Sequence, residues 1–196
     1  MREIAMGKSQ KKQAILDTAL QLFVSQGFHA TSTATIAREA GVATGTLFHH
    51  FPSKEQLLEQ LFLGVKQEFA DAIQAGASKS GKLKQDAKQL WFAALTWAMA
   101  NPLKQAFFQL YSMSPTVEQS VRAQAMHSIL GFIAELIRQG QASGELAKYP
   151  IELMQDNCHG QYLAATRYFV DHPERWQDEE QRTASFALFW NAMAAR

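Results

Sequence analysis

Thr31-Ser32-Thr33-Ala34-Thr35-Ile36-Ala37-Arg38-Glu39-Ala40-Gly41-Val42-Ala43-Thr44-Gly45-Thr46-Leu47-Phe48-His49-His50-Phe51-Pro52-Ser53-Lys54 is the stretch on which the reading of this chain turns. It holds two short runs with apolar residues at helical spacing, separated by Gly41. Thr31-Ser32-Thr33 offers a cap for a first short helix through Ala40, with Ile36, Ala37 and Ala40 on its inner face. Gly41 follows, where a left-handed residue turns the chain sharply. A second short helix is predicted from about Thr44 to His50. Leu47 and Phe51 stand four apart and face inward, which leaves Thr44, Gly45, Thr46, His49 and His50 outward. Pro52-Ser53 ends that helix, and Ser53 with Gln56 reads as a capping box for a helix continuing past Phe69. Upstream, residues 9–26 carry Ile15, Leu16, Ala19, Leu22 and Phe23 on one stripe, with Ser9 the predicted N-cap and Gly27 beyond the C-terminus.

Two short helices joined through a glycine turn, behind a longer first helix, follow the plan of a three-helix helix-turn-helix module. The second helix of the pair needs small polar residues at its leading edge so that it can approach base edges and phosphates. Thr44 and Thr46 can hydrogen-bond either, and their methyls can meet thymine methyl groups. Lys54, in the first turn of the next helix, sets an ammonium beside N-terminal amides, where both can share a phosphate. Residues 1–54 carry six Lys and Arg (Arg2, Lys8, Lys11, Lys12, Arg38, Lys54) against Glu3, Asp17 and Glu39, whereas the remainder is mildly acidic. Lys8, Lys11 and Lys12 are candidate contacts to flanking phosphates. Adjacent histidines on a helix point about 100° apart, so His49 and His50 do not chelate one ion together, and no metal is expected.

Working outward, the whole chain of 196 residues is 47% apolar and 19% charged with net charge +1, enough to bury a core and too balanced for a bulk electrostatic partner. Its one cysteine, Cys158, excludes an intrachain disulfide framework and a multi-cysteine zinc site. The start has no apolar signal-peptide core, and the longest apolar runs, Trp91–Ala100 and Phe186–Ala195, are shorter than the ~18–20 residues a membrane span needs. A cytoplasmic protein with no membrane partner is expected. Further helices are predicted at 83–99, 102–112, 115–139, 151–170 and 178–195, punctuated by Gly76–Gly81, Asn101-Pro102, Pro115, Gly140–Gly144, Tyr149-Pro150 and His172-Pro173. No alternating β pattern or internal repeat is present. The expected fold is all-α: a helix-turn-helix domain over residues 1–52 and a helical bundle over residues 53–196.

Residues 28–55, with helix-one positions Ile15, Ala19, Leu22, Phe23 and Gly27, resemble the DNA-binding signature of the tetracycline-repressor (TetR) family. The resemblance covers roughly residues 9–62. It implies a homodimeric regulator, usually a repressor, that binds a double-stranded DNA operator and answers to a small-molecule effector, with a divergent helical C-terminal region for ligand binding and dimerisation. Carried onto this sequence, Ser32 matches the cap of the module's second helix and Thr33 a phosphate or base contact. Thr44, Gly45 and Thr46 match the leading edge of the recognition helix, His49 and His50 its groove and backbone contacts, and Lys54 the phosphate-binding lysine. Three positions depart from the pattern. Phe48 stands where the family usually has a tyrosine whose hydroxyl reaches a phosphate, so its ring is left to pack. Ala34 replaces a common basic residue, and Thr35 replaces the acid of a capping box. Each lost neutral hydrogen bond is worth only ~0.5–1.5 kcal/mol.

In the C-terminal region the aromatic and methionine-rich interior first reads as packed core. The resemblance adds a pocket between bundle helices, with Trp91, Leu95, Phe107, Phe108, Tyr111, Met126, His159 and Tyr162 as candidate walls for a small apolar or amphipathic molecule. It also implies that the last two helices pair across a twofold axis, with Met154, Cys158, Ala165, Phe169, Phe186, Phe189, Trp190 and Met193 as the candidate interface, eased by small residues such as Gly160, Ala164, Ala187 and Ala192. Cys158-His159 diverge on a helix and have no placed acid, so no catalytic set is read, no enzyme is expected and no cofactor is called for. The rival reading is a DNA-bound structural protein that uses the same module without transcriptional control.

Overall fold

The computed structural model describes residues 7–76 and 80–195; what the sequence suggests for residues 1–6 and for 77–79 lies outside the described residues. Three helices form the N-terminal module: α1 (Lys8–Gln26), α2 (Thr33–Glu39) and α3 (Thr44–His50). α1 begins one residue before Ser9, because Gly7 takes the N-cap position and its N–H donates to Gln10 Oε1 at 2.8 Å. Its stripe of Ile15, Ala19, Leu20, Leu22 and Phe23 is buried against α2, α3 and α4. Ser32 caps α2 as expected, its Oγ accepting from Thr35 N at 3.0 Å. Thr35 Oγ1 lies 2.9 Å from the same oxygen, so the threonine returns a hydroxyl bond where an acid would have reached the backbone. Between α2 and α3, Gly41 has φ +67°, a conformation that costs most side chains energy and leaves glycine unstrained.

The long helix α4 (Lys54–Ala75) starts beside α3, its N-terminus capped by Ser53 Oγ accepting from Gln56 N at 3.1 Å. Its inner stripe runs from Leu57 and Leu58 to Ile73. Around it stand α5 (Leu83–Ala100), α6 (Pro102–Tyr111), α7 (Gln119–Gln124), α8 (Gly131–Ser143), α9 (Ile151–Asp171) and α10 (Glu179–Met193). One apolar core runs without a break from the N-terminal module into this bundle. A second tie is α6 against α1, where Tyr111 Oη donates to Phe23 O at 3.0 Å.

The predicted helix over 115–139 is broken in the structure. Pro115 sits in a turn, and α7 is followed by a π-turn at Ala125–Ile129, in which Leu130 N donates to Ala125 O at 3.0 Å. The extra residue changes the phase of the apolar stripe and turns the chain into α8. π-turns of this kind favour functional sites. Gly140 of α8 is a close approach: a Cβ there would meet Leu146 and Leu83 at 2.5 Å, so only glycine lets the α8–α9 loop fold back. That loop bridges to the C-terminus through Ala147 N to Met193 O at 2.9 Å, which ends α10 at Met193 rather than 195.

Candidate nucleic-acid interface and ligand cavity

On α3, Leu47 and the following Phe51 are fully buried. That anchoring turns Thr44, Gly45 and His49 outward, with Thr46 and His50 half-buried at the edge. Phe48 is 44% exposed, so its ring stands on the outer face instead of packing. His49 and His50 meet edge to face at 5.5 Å between ring centres. Partial desolvation, then His49 and then Lys8, Lys12 and Lys11 hold the His50 pKa below its ordinary value. The three α1 lysines therefore form a basic rim beside the C-terminal end of α3. Thr33 lies half-buried at the start of α2, and Ser32 is exposed with its oxygen used in the cap.

Lys54 differs from the sequence expectation. Its Nζ donates to Phe28 O at 2.8 Å and Thr31 O at 2.9 Å and lies 4.2 Å over the Phe28 ring. An ammonium has three donors, so one remains for a phosphate while the others clamp the α1–α2 turn to the start of α4. Thr31, buried beneath it, donates its hydroxyl to Gly27 O at 2.8 Å. Phe28 and Thr31 are thus partners that sequence reasoning missed.

In the bundle, an apolar cavity of about 130 Å³ is enclosed by α4, α5, the π-turn and α8, α9 and α10. Trp91, Met126, His159 and Tyr162 line it, as the sequence reading expects. Leu95, Phe107, Phe108 and Tyr111 do not. From α5 the cavity is lined by Leu83 to Ala94, whereas α6 follows the other end of α5 and turns its aromatics toward α1 and α4. There Phe107 pairs with Phe62 and Phe108 with Phe69 and Trp97. The walls that sequence reasoning did not name include Phe69, Ile73, Leu83, Ile137 and Trp190. Only the ring of Tyr162 is available to the cavity, because its hydroxyl donates to Gln105 Oε1 at 2.7 Å in a buried network with Thr166. Burial pushes the Cys158 thiol up to about 12, so it is held as a thiol, 3.9 Å from Met193 Sδ.

A second hollow of about 500 Å³ adjoins the cavity and shares Met126, Gln155 and His159 with it. Lys66, Ser112 and Arg122 also line this hollow. Among the described residues, no group of His, Cys, Asp and Glu side chains is arranged to hold a metal ion, and no helix is long and apolar enough to cross a membrane.

The structure places most of the residues expected at a dimer contact inside the protomer. Met154, Cys158, Phe169, Phe186, Trp190 and Met193 are buried within the protomer, and Phe189 stacks on Trp91 with ring centres 4.5 Å apart; Ala165 packs half-buried against the same core. The outward faces of α9 and α10 carry Leu153, Tyr168 and Leu188 instead, with exposed Gly160, Ala164, Ala184, Ala187 and Ala192. Both helices have apolar residues on two sides, and the bundle claimed the side with the larger rings.

The sequence profile described as bacterial regulatory proteins, tetR family, matches residues 15–61. The crystal structure of a Shewanella sp. PV-4 protein assigned to the tetR family of transcription regulators is 91% identical, covers 95% of this chain and 99% of its own, and superposes with a TM-score of 0.94. The HTH-type transcriptional repressor KstR2 of Rhodococcus jostii is 41% identical over 58 residues, which is 30% of this chain and 28% of that protein's length. The uncharacterised HTH-type transcriptional regulator YhgD of Bacillus subtilis is 27% identical over 144 residues, 73% of this chain and 75% of its own.

Proposed function

This chain belongs to the tetR family of bacterial transcription regulators, and from that premise we propose that it is a homodimeric repressor released from its operator by a small apolar or amphipathic molecule. The division of labour falls near residue 52, with residues 1–52 binding DNA and residues 53–196 binding the effector and the second subunit. The protein acts in the cytoplasm, and its work is binding rather than turnover.

The observation that carries the reading is the outward edge of α3 over a buried Leu47–Phe51 anchor. Thr44, Gly45, Thr46 and His49 enter the major groove, and His50, Phe48, Thr33, Ser32 and the free N–H of Lys54 approach the backbone. The lysine rim of α1 contacts flanking phosphates. Two recognition helices in a dimer meet half-sites ~34–36 Å apart. The outward face of α9 and α10 forms the twofold contact, its small residues admitting close helix approach. Coupling runs along α4, which begins beside α3 at Lys54 and lines the effector cavity with Phe69 and Ile73. An effector that favours a different α4 tilt shifts operator affinity by ~1–3 kcal/mol.

Selection of duplexes from random DNA, followed by footprinting in rising salt, tests this. The expected result is an inverted repeat protected by a dimer, with affinity falling steeply as salt rises. Equal affinity for every duplex would refute it.

A further inference from the structure

Lys66 occupies a position where an aliphatic residue would pack without cost. It stands on the inner stripe of α4 between Phe62 and Phe69 and is 1% exposed. Its Nζ lies 4.1 Å from the centre of the Phe108 ring and 5.6 Å from that of Phe62. The polar neighbour is His159 Nε2 at 3.4 Å, and among the described residues no carboxylate forms an ion pair with it. An ammonium has three donors to satisfy, and this one has a single long contact. Burying a cation without a partner is strongly unfavourable, so the site is incomplete as it stands.

Two more buried polar atoms in the same hollow are also unpaired. Gln155 is 3% exposed and its Nε2 has no acceptor; Ser112 is 6% exposed and its Oγ has no partner. Gln155, Ser112 and Lys66 all line the same hollow. Desolvation, and then Lys66, drive the His159 pKa down to about 3, so the imidazole is neutral and adds no competing charge. Desolvation also lowers Lys66 to about 7, near enough to neutrality for an incoming anion to recharge it. The acidic groups of the hollow, Glu152 and Asp156, are exposed on α9, and the Arg122 guanidinium is turned to the carbonyls of Ser114 and Val117. Lys66, the Gln155 amide nitrogen and the Ser112 hydroxyl thus line one hollow with hydrogen-bonding capacity left unused. That complements a carboxylate, whose two oxygens accept up to about four hydrogen bonds. Next to it, across Met126, Gln155 and His159, lies the apolar cavity of about 130 Å³, a size comparable to cavities that hold a benzene-sized group.

We propose that the effector is an amphipathic monocarboxylate, its head seated on Lys66, Gln155 and Ser112 and its hydrocarbon body in the cavity between α4, α5, α8, α9 and α10. The inference rests on the effector-released reading only for its regulatory consequence. Because Lys66 belongs to α4, the anion grips the helix that leads to the DNA-reading module.

The test uses the full chain with saturated carboxylates of six to sixteen carbons and the primary alcohols of matching length, binding being followed by calorimetry. The carboxylate should bind at least tenfold tighter than its alcohol at one or more lengths. Lys66→Met should erase that preference while keeping alcohol affinity within twofold, and Gln155→Leu should reduce it in part. Equal affinity of acid and alcohol at every length, or a preference that survives in both variants, overturns the proposal. Selected operator DNA, titrated into the same samples, separates the two claims. Release by acid and alcohol alike supports the repressor reading and defeats the head-group assignment. A Lys66-dependent preference for acid with no effect on DNA does the reverse.

Discussion

The N-terminal module and the bundle handle their polar residues in opposite ways. In the module the buried polar groups are satisfied: Thr31 donates to Gly27 O, and Lys54 clamps two carbonyls under the turn. Its outward polar side chains, Thr44 and His49 among them, are exposed. In the bundle the last two helices expose Leu153, Tyr168, Val170 and Leu188 among charged and small residues, and the unsatisfied Gln155 Nε2 and Ser112 Oγ lie inside with the poorly partnered Lys66. A surface that reads DNA has to be rigid and already complete beneath. A cavity that senses a molecule has to lack something the molecule brings.

Removing the scaffold of the module should have the greatest consequence. Phe51→Ala empties a fully buried ring position and is expected to cost ~3–5 kcal/mol in denaturant unfolding, with DNA binding lost through unfolding. Lys66→Met should do the opposite in the bundle, raising stability by ~1–4 kcal/mol while removing acid recognition. The sign follows from its lowered pKa. Below pH 7 the lysine is charged in both states and the burial penalty is fully present. Between about 7 and the ordinary 10.5 the folded protein has shed the proton that the unfolded chain still holds, so the penalty shrinks as pH rises. The stability gap between variant and parent should thus be widest below pH 7 and close toward alkaline pH; a gap that widens upward would break the assignment of Lys66 as a buried cation. Next, Thr44→Ala with Thr46→Ala should weaken operator binding by ~1–3 kcal/mol through two lost hydrogen bonds, with unfolding unchanged within about 0.5 kcal/mol. A matching loss of stability would place these threonines in the scaffold. Smallest in effect, Ser32→Ala should cost ~1 kcal/mol of stability by uncapping α2, read from the thermal midpoint.

The module was legible because each of its features is local. Gly41, the Ser32 and Ser53 caps and the Leu47–Phe51 spacing are short-range patterns, and the structure follows all of them. Ser9 failed as a cap because Gly7, two residues earlier in the chain, takes the position. In the bundle, a signal for the effector site was present and unread: a lysine on the apolar stripe of α4, in line with Phe62 and Phe69. Its neighbour His159 is 93 residues away, beyond any local pattern. The π-turn after α7 was invisible for a different reason, since the residues from Ala125 to Ile129 keep an uninterrupted helical composition.

Periodicity and punctuation determined the helices, and the glycine turn with its inward Leu47 determined which residues of α3 face outward. Neither could orient α9 and α10, because each carries apolar residues on two sides: in α9 Met154 and Phe169 on one and Leu153 and Tyr168 on the other, in α10 Phe186 and Trp190 on one and Ala184 and Leu188 on the other. Which side goes in depends on what stands opposite, here Trp91 and the rest of α5, and that is a property of long-range packing. The same packing, by closing aromatic rings over Lys66 without supplying it an anion, turned one lysine among many into a site.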